Sequence, residues 1–514
     1  MDYLKNQIIA YIGNKRRLLN FIESVILKLE PEYKGFLDLF AGSSSVSRLA
    51  KKMGFSVYSN DWEFYSYVIN KAYIEIDKNN LDLIFKDYGG IDNVLNLLNS
   101  LEKPKEPYIS KYYSPTSDNP DPKKERMFYT KENGIKIDAI REWIEENFKE
   151  WKEPKFILVS LLLYEAATHT NTSGVFKAYH AGFGGHGKDA LKRILSPIHL
   201  ERPVLYHNLV DKEYKVFQED ANRLVKNIEW DKIEITYLDP PYNQHQYGSN
   251  YHLLNTIALW DKPPIDNEFK NTGKSGIRKD WLKTKSDYCI KDRAIEAFQN
   301  LIENIKSRYI MVSYNTEGII PLQMIVDILK KKGEINLYSS NYTKYRGGKQ
   351  SIKRKIKNIE FILTVDTLKK GFVKQQVYNI INQKKIESLK ELAIDIKKLE
   401  NKGWEIFLEY AQKDNARLIL ENRLIIKDFE GSFNNEQIND IEDSILPKDI
   451  EIIKLININP KLYKERIINS FNKLNHKKYR ESFIKIMEII KDKIKDQRIE
   501  RIIDIAKKRG VILN

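Results

Sequence analysis

One cysteine in 514 residues, Cys289, excludes an intramolecular disulfide and points to a reducing compartment. Long apolar runs are missing too: none approaches the roughly 20 residues of a membrane span. The first ten residues, Met1 to Ala10, mix charges with apolar side chains and do not read as a secretory leader. The segment Asp38 to Gly42 is not a GxGxxG, and no GxxxxGKS/T occurs, so neither a dinucleotide site nor a P-loop is favoured. Metal-ligand spacings such as HExxH or paired CxxC are absent, and His180, His186, His199, His245 and His252 form no convincing metal set. These absences lead to the expectation of a cytoplasmic chain with no membrane partner and no metal.

What remains is a globular composition, 42% hydrophobic and 31% charged, long enough for two or three domains. Lys and Arg outnumber Asp and Glu by 86 to 71, a net charge of +15. Such a surplus suits a polyanion, because basic side chains on phosphates release counterions. A basic solvated surface in a chain rich in Lys, Ile and Asn would look the same.

Apolar spacing predicts a helix over 16–30, then a short buried strand, Gly35 to Phe40, ending in the small-residue turn Ala41-Gly42-Ser43-Ser44-Ser45. A helix from Val46 to Met53 and a strand from Phe55 to Ser59 complete a βαβ unit, hence a parallel sheet. Residues 102–135 read as a loop-heavy insertion, followed by helices over 137–147 and 156–168. Strands are expected over 214–217, 233–238, 309–313 and 359–365, with helices over 294–305 and 322–331. Past Thr367 the texture becomes Lys/Glu/Ile/Asn-rich with helical spacing, as in Phe483, Ile486, Met487, Ile490 and Ile494. The expected divisions are 1–80, an inserted and largely helical 81–212 with DNA contacts, 213–368, and a helical 369–514 with a recognition or partner role.

The sharpest motif is Asp239-Pro240-Pro241-Tyr242, directly after the expected strand 233–238. Ligands of open α/β sheets bind outside the carboxyl ends of strands, which is where it falls. The prolines have no amide donors and leave carbonyls facing a cleft. Asp239 accepts from an amine, and Tyr242 offers a flat face to a base. Adenine methylation needs these parts. The exocyclic amine is a poor nucleophile because its lone pair is delocalised. Two acceptors, the Asp239 carboxylate and the Pro240 carbonyl, would draw its hydrogens out of plane once the base has flipped from the duplex. A rigid strand-to-loop turn is the plainer reading. Asp38-Leu39-Phe40-Ala41-Gly42 lets backbone approach a nucleoside, with Asp61 about 20 residues on, or is a simple turn and cap. Tyr11-Ile12-Gly13-Asn14-Lys15-Arg16 gives a turn and a lysine able to pair a carboxylate, or a basic helix start.

Together these segments resemble the alpha-class (Dam-type) site-specific DNA adenine-N6 methyltransferases of restriction-modification systems, over about residues 5–365. The order is the one such enzymes have: cofactor loop, long insertion, then DPPY. The resemblance implies a Rossmann-like, S-adenosylmethionine-dependent α/β sheet with an inserted region and a mainly helical C-terminal domain. It implies that Tyr11, Lys15, Asp38, Phe40, Gly42 and Asp61 bind the cofactor. Asp220, within Phe217-Gln218-Glu219-Asp220-Ala221-Asn222, would contact its adenine. Asp239, Pro240 and Tyr242 would hold the target base. Tyr247 and Asn250, in the continuation of DPPY, and Tyr314-Asn315 fit a subgroup that includes the methylase partners of some asymmetric-site endonucleases, and are expected at the DNA. Arg278 and Arg346, on Gly-containing segments, face phosphates or water. Double-stranded DNA and a cognate restriction endonuclease are the expected partners. An RNA amine methyltransferase, a catalytically idle DNA-binding subunit and a methylase–nuclease fusion stay as alternatives. Cys289 lacks the preceding proline of a cytosine-ring methylase.

Overall fold

The computed structural model describes residues 2–10, 12–117, 120–184, 188–265, 273–315, 318–340, 360–421 and 423–512. These fall into two compact units, Met1–Lys374 and Gln375–Asn514.

The first unit is built on a seven-stranded sheet in the order β3-β2-β1-β4-β5-β7-β6. Its strands are β1 (Gly35–Asp38), β2 (Ser56–Asn60), β3 (Tyr214–Phe217), β4 (Ile233–Leu238), β5 (Tyr309–Asn315), β6 (Glu334–Ser340) and β7 (Glu360–Asp366). All run parallel except β7, which is antiparallel to both β5 and β6. Central strands β1, β4 and β5 are buried along their whole length, which is why they read as apolar runs rather than alternations. The helices Leu19–Leu27 and Ser45–Met53 pack Ile22, Val25, Ile26, Leu49 and Ala50 into one core with Phe36, Val57, Ile235 and Met311 of the strands.

Between β2 and β3 the chain makes a long excursion with its own core. There Phe64–Asn70, Lys131–Asn147 and Glu153–Thr168 pack with His252–Leu259, burying Val68, Ile140, Leu162 and Leu254. His252 belongs to this core: burial pushes its pKa down to about 3, and its neutral ring meets the Phe176 carbonyl at 3.0 Å.

The second unit is mostly helical and adds a four-stranded antiparallel sheet, β11-β10-β9-β8, that helical spacing does not announce. Its strands are β8 (Glu405–Ile406), β9 (Tyr410–Lys413), β10 (Ala416–Glu421) and β11 (Ile425–Glu430). β10 buries Ala416, Leu418 and Leu420 and turns Arg417, Ile419 and Glu421 outward, the period-2 pattern of a sheet with one wet face. The helices Lys448–Ile458, Lys464–Lys473, Arg480–Lys493 and Gln497–Lys508 close around Ile452, Ile467, Phe471, Phe483, Ile486 and Ile503. No described helix is long and apolar enough to cross a membrane.

Candidate active site

Strand order reverses between β1 and β4, because the chain leaves β1 toward β2 on one side and leaves β4 toward β5 on the other. A crevice opens at the carboxyl ends of such a strand pair. Asp38 ends β1, opposite Tyr237 of β4, and Asp239 follows β4 directly. Pro240 and Pro241 cannot donate to a ladder, so β4 stops there and its next residues line the crevice.

The turn after β1 is braced by the end of β2. The Ala41 amide donates to the Asn60 carbonyl at 2.9 Å, and the Gly42 amide to Asp61 Oδ2 at 2.8 Å. Asp61 Oδ1 accepts from the Glu63 amide at 2.9 Å. Gly42 has φ +49°, a conformation that favours glycine, and its carbonyl accepts from Ser66 Oγ at 2.6 Å. Burial raises the Asp61 pKa against the amides that lower it. Asp38 Oδ2 accepts from Ser47 Oγ at 2.7 Å, which continues through Ser59 to Asn70, and burial pushes the Asp38 carboxyl up to about 7.

The N-terminal segment is stitched across the crevice. Arg48, fully buried, donates to the carbonyls of Tyr3, Asn6 and Gln7 and lies 3.5 Å from the centre of the Tyr73 ring. Tyr251 Oη accepts from the Ile12 amide at 2.8 Å, Tyr247 Oη donates to the Ile12 carbonyl at 3.2 Å, and Asn14 Nδ2 donates to Ser43 Oγ at 2.9 Å. Gly13, at φ +82°, leaves no room to spare: a Cβ there would meet the Tyr242 hydroxyl at 3.3 Å.

This stitching delivers Lys15 to the DPPY segment. Its side chain is only 4% exposed, and Nζ lies 3.1 Å from Asp239 Oδ1 and 3.6 Å from Glu360 Oε2 at the start of β7. Burial works against the Lys15 charge, but the two carboxylates overcome it and hold its pKa well above the ordinary value. Burial pushes Asp239 up to about 6; Lys15 pulls it back, and Glu360 adds to the rise. One cation thus serves two carboxylates. Tyr242 is buried beside it, with Lys15 Nζ 5.6 Å from its ring centre and Tyr314 in an edge contact at 6.1 Å.

These residues border a cleft, open to solvent, with about 750 Å³ of empty space. Phe40, Asp61, Asp220, Asp239, Pro240, Tyr242 and Tyr247 line it. A smaller hollow of about 280 Å³, also touching Phe40 and Asp239, is lined by Lys15, Asp38 and Gly42. Asp220 caps the helix Ala221–Asn227.

The structure therefore brings Lys15, Asp38, Phe40, Gly42, Asp61, Asp220, Asp239, Pro240, Tyr242 and Tyr247 to one place. Asn250, Arg278, Tyr314 and Asn315 differ from the expectation that they face DNA, since all four side chains are buried. Arg278 is held by both Asp261 and Asp280 at 2.7 Å, so its charge is neutralised within the fold. Tyr314 Oη accepts from the Ile320 amide. Tyr11 and Arg346 lie outside the described residues. Residues on the cleft or its ion cluster that were not singled out from the sequence include Trp62, Glu63, Tyr288 and Glu360. Trp62 and Glu63 follow Asp61 directly, so proximity to that residue was an available signal. Tyr288 packs edge-on to Phe40 at 5.3 Å and donates to Asn222 Oδ1 at 2.7 Å, and Glu360 joins through β7. Neither has a sequence signal, because each arrives from a distant segment.

Residues 11–328 match the family described as D12 class N6 adenine-specific DNA methyltransferase. The chain is 36% identical to the Type II methyltransferase M.NlaIII of Neisseria lactamica over 354 residues, 66% of this chain and 93% of that protein. It is 34% identical to the modification methylase StsI of Streptococcus sanguinis over 399 residues, 74% of this chain but 55% of that longer protein. With the Type II methyltransferase M.CviAII of Paramecium bursaria Chlorella virus 1 it shares 31% identity over 363 residues, 70% of this chain and 99% of the relative. By the extent of these matches, the chain belongs to the D12 class N6 adenine-specific DNA methyltransferases.

Proposed function

We propose that this chain transfers a methyl group from S-adenosylmethionine to N6 of adenine at one short sequence in duplex DNA, as the modification enzyme of a restriction-modification pair with a cognate endonuclease. The observation that carries the reading is Asp239 at the mouth of β4, set in a cleft and ion-paired with Lys15 at 3.1 Å. The relatives, named as Type II methyltransferases and a modification methylase, support the biological setting.

The donor fits the cleft chemically. A carboxylate oxygen has more than one lone pair, so Asp61 can accept from ribose hydroxyls while its oxygens take the Gly42 and Glu63 amides. Phe40 and Tyr288 offer apolar faces to the purine, with Asp220 at its edge. Lys15 and the hollow beside it take the amino-acid end. When bound, S-adenosylmethionine supplies an electrophilic methyl group with a neutral thioether as leaving group.

The remaining work belongs to the protein. A flipped adenine enters against Tyr242, and its amine donates to Asp239 and to the Pro240 carbonyl. Asp239 Oδ1 is turned to Lys15, leaving Oδ2 for the amine. Lys15 keeps the carboxylate ionised and in place, so the acceptor is present before the base arrives. Those two hydrogen bonds pull the amine hydrogens out of the ring plane and localise the lone pair on nitrogen. Asp239 would take the proton that the amine sheds on accepting the methyl group. Positioning supplies most of the rate.

Purified wild-type chain and Asp239→Ala, incubated with labelled S-adenosylmethionine, DNA from a methylation-free host and an RNA control, test this reading. The expected result is 6-methyladenine at one motif, absent in the variant while cofactor binding persists. Label confined to RNA would overturn it.

A further inference from the structure

We propose that the C-terminal end of the chain carries a second DNA contact, an exposed basic patch of Lys473, Lys477, Lys478, Arg480, Lys507 and Lys508 that grips the phosphate backbone of the duplex. The inference deepens the reading above and rests on DNA being the substrate. Charge is unevenly distributed within the second unit: residues 461–514 hold 16 Lys and Arg against 7 Asp and Glu, whereas 375–460 hold 12 against 16.

Folding gathers part of that surplus at one end of the helical bundle. Lys473 ends the helix Lys464–Lys473, Lys477 and Lys478 lie in the turn Lys477–Tyr479, Arg480 opens the next helix, and Lys507 and Lys508 end Gln497–Lys508. The last helix is tied to that turn. Arg509 Nη1 donates to the Asn475 carbonyl at 3.5 Å, Asn475 Nδ2 to the Ile502 carbonyl at 3.4 Å, and a Cβ on Gly510 would lie 3.7 Å from Lys477 Cε. All six cations are exposed, and among the described residues none meets a carboxylate. Elsewhere in the same bundle cations are paired: Lys464 with Asp496 at 3.0 Å, Arg466 with Glu451 at 2.9 Å, Arg498 with Glu465 at 2.7 Å. Tyr479, 40% exposed, stands among them with Lys478 Nζ 4.6 Å from its ring centre, adding a hydroxyl of the kind that contacts phosphate.

Cations left without partners on one face fit a polyanion. No side chain there has its donors organised by a neighbour to read a base edge, so the patch adds affinity without sequence preference. Each phosphate contact contributes about 0.9 to the slope of log affinity against log salt.

The test uses the full chain with Lys477→Gln, Lys478→Gln, Lys507→Gln and Lys508→Gln combined. A control carries Lys397→Gln, Lys398→Gln, Lys427→Gln and Lys495→Gln, four exposed cations outside the patch. Binding to a short duplex is followed by anisotropy between about 50 and 200 mM salt. The patch variant is expected to lose affinity tenfold or more on cognate and unrelated duplexes alike. Its salt slope should fall by about 3.6, if each of the four lysines meets one phosphate. Its melting temperature, cofactor binding and turnover at saturating DNA should match wild type. An unchanged slope, an equal loss in the control, or tighter binding to RNA than to duplex DNA would overturn the patch. Wild-type chain that binds DNA through the patch yet methylates only RNA would sink the functional reading instead, so the two failures are distinguishable.

Discussion

The two charged regions of this protein treat their cations in opposite ways. In the crevice a single buried lysine, Lys15, is held between Asp239 and Glu360 and has no freedom to meet solvent ions. At the end of the helical bundle six exposed cations form no ion pair with a carboxylate among the described residues. A buried ion cluster is costly to desolvate and is strongly destabilised when a charge is left uncompensated, but salt hardly screens it. Exposed cations cost little and are screened within about 10 Å at 0.1 M salt. Precise chemistry uses the first arrangement, and tolerant grip the second.

The comparison breaks most sharply at Asp239. Asp239→Ala should lower turnover roughly 10³-fold, the scale for losing one preorganised hydrogen-bonding group. Stability should change little, because Lys15 retains Glu360 as a partner; single-turnover assay and thermal melting check both parts. Lys15→Met is the next largest. It leaves two carboxylates facing each other in a buried site, one of which must take up a proton. It should cost about 3 kcal/mol in urea unfolding. It should also move the acid limb of the rate profile to higher pH, because losing a neighbouring cation raises a carboxyl pKa.

A smaller effect separates Glu360 from Asp239. The reaction needs Asp239 ionised, and its pKa is about 6, so wild-type kcat/KM should fall as pH drops through 6. Glu360 raises that pKa. Glu360→Gln should therefore shift the acid limb to lower pH and leave neutral turnover within about tenfold. A limb that stays in place would show that Glu360 does not act on Asp239. The smallest effect is salt on turnover itself. At saturating DNA, kcat should change less than about twofold over the range in which kcat/KM for DNA falls steeply, because the buried cluster is not screened and the phosphate contacts are.

How far the sequence reaches differs between these regions. The DPPY tetrad, the turn from Asp38 to Gly42 and the strands bearing them are local, since each is a run of adjacent residues whose chemistry and breakers sit side by side. Lys15 was legible as a lysine able to meet a carboxylate, and the structure shows that it meets two. Glu360 lies some 345 residues from Lys15 and enters only because β7 slots antiparallel between β5 and β6. Tyr288 likewise comes from the long connection between β4 and β5. Asn250, Arg278, Tyr314 and Asn315 looked like DNA contacts because they are polar residues on loops and strand ends. Their burial is a property of what packs over them, which no spacing encodes. In the second unit the helices show their 3.6-residue period, whereas β10 is six residues long and its charged alternate positions hid the strand.

By itself, then, the sequence determined the chemistry on offer: an acid-proline-proline-tyrosine segment after a buried strand, a glycine turn after another, and a basic surplus. Those are short-range features, set by backbone restriction, side-chain type and local period. The tertiary structure decided which charges meet. Only the order of the strands puts Lys15 between Asp239 and Glu360, and only the closure of the helical bundle gathers Lys473 to Arg480 beside Lys507 and Lys508. Coulomb energy depends on distance and on what lies between the charges, and both are products of the fold.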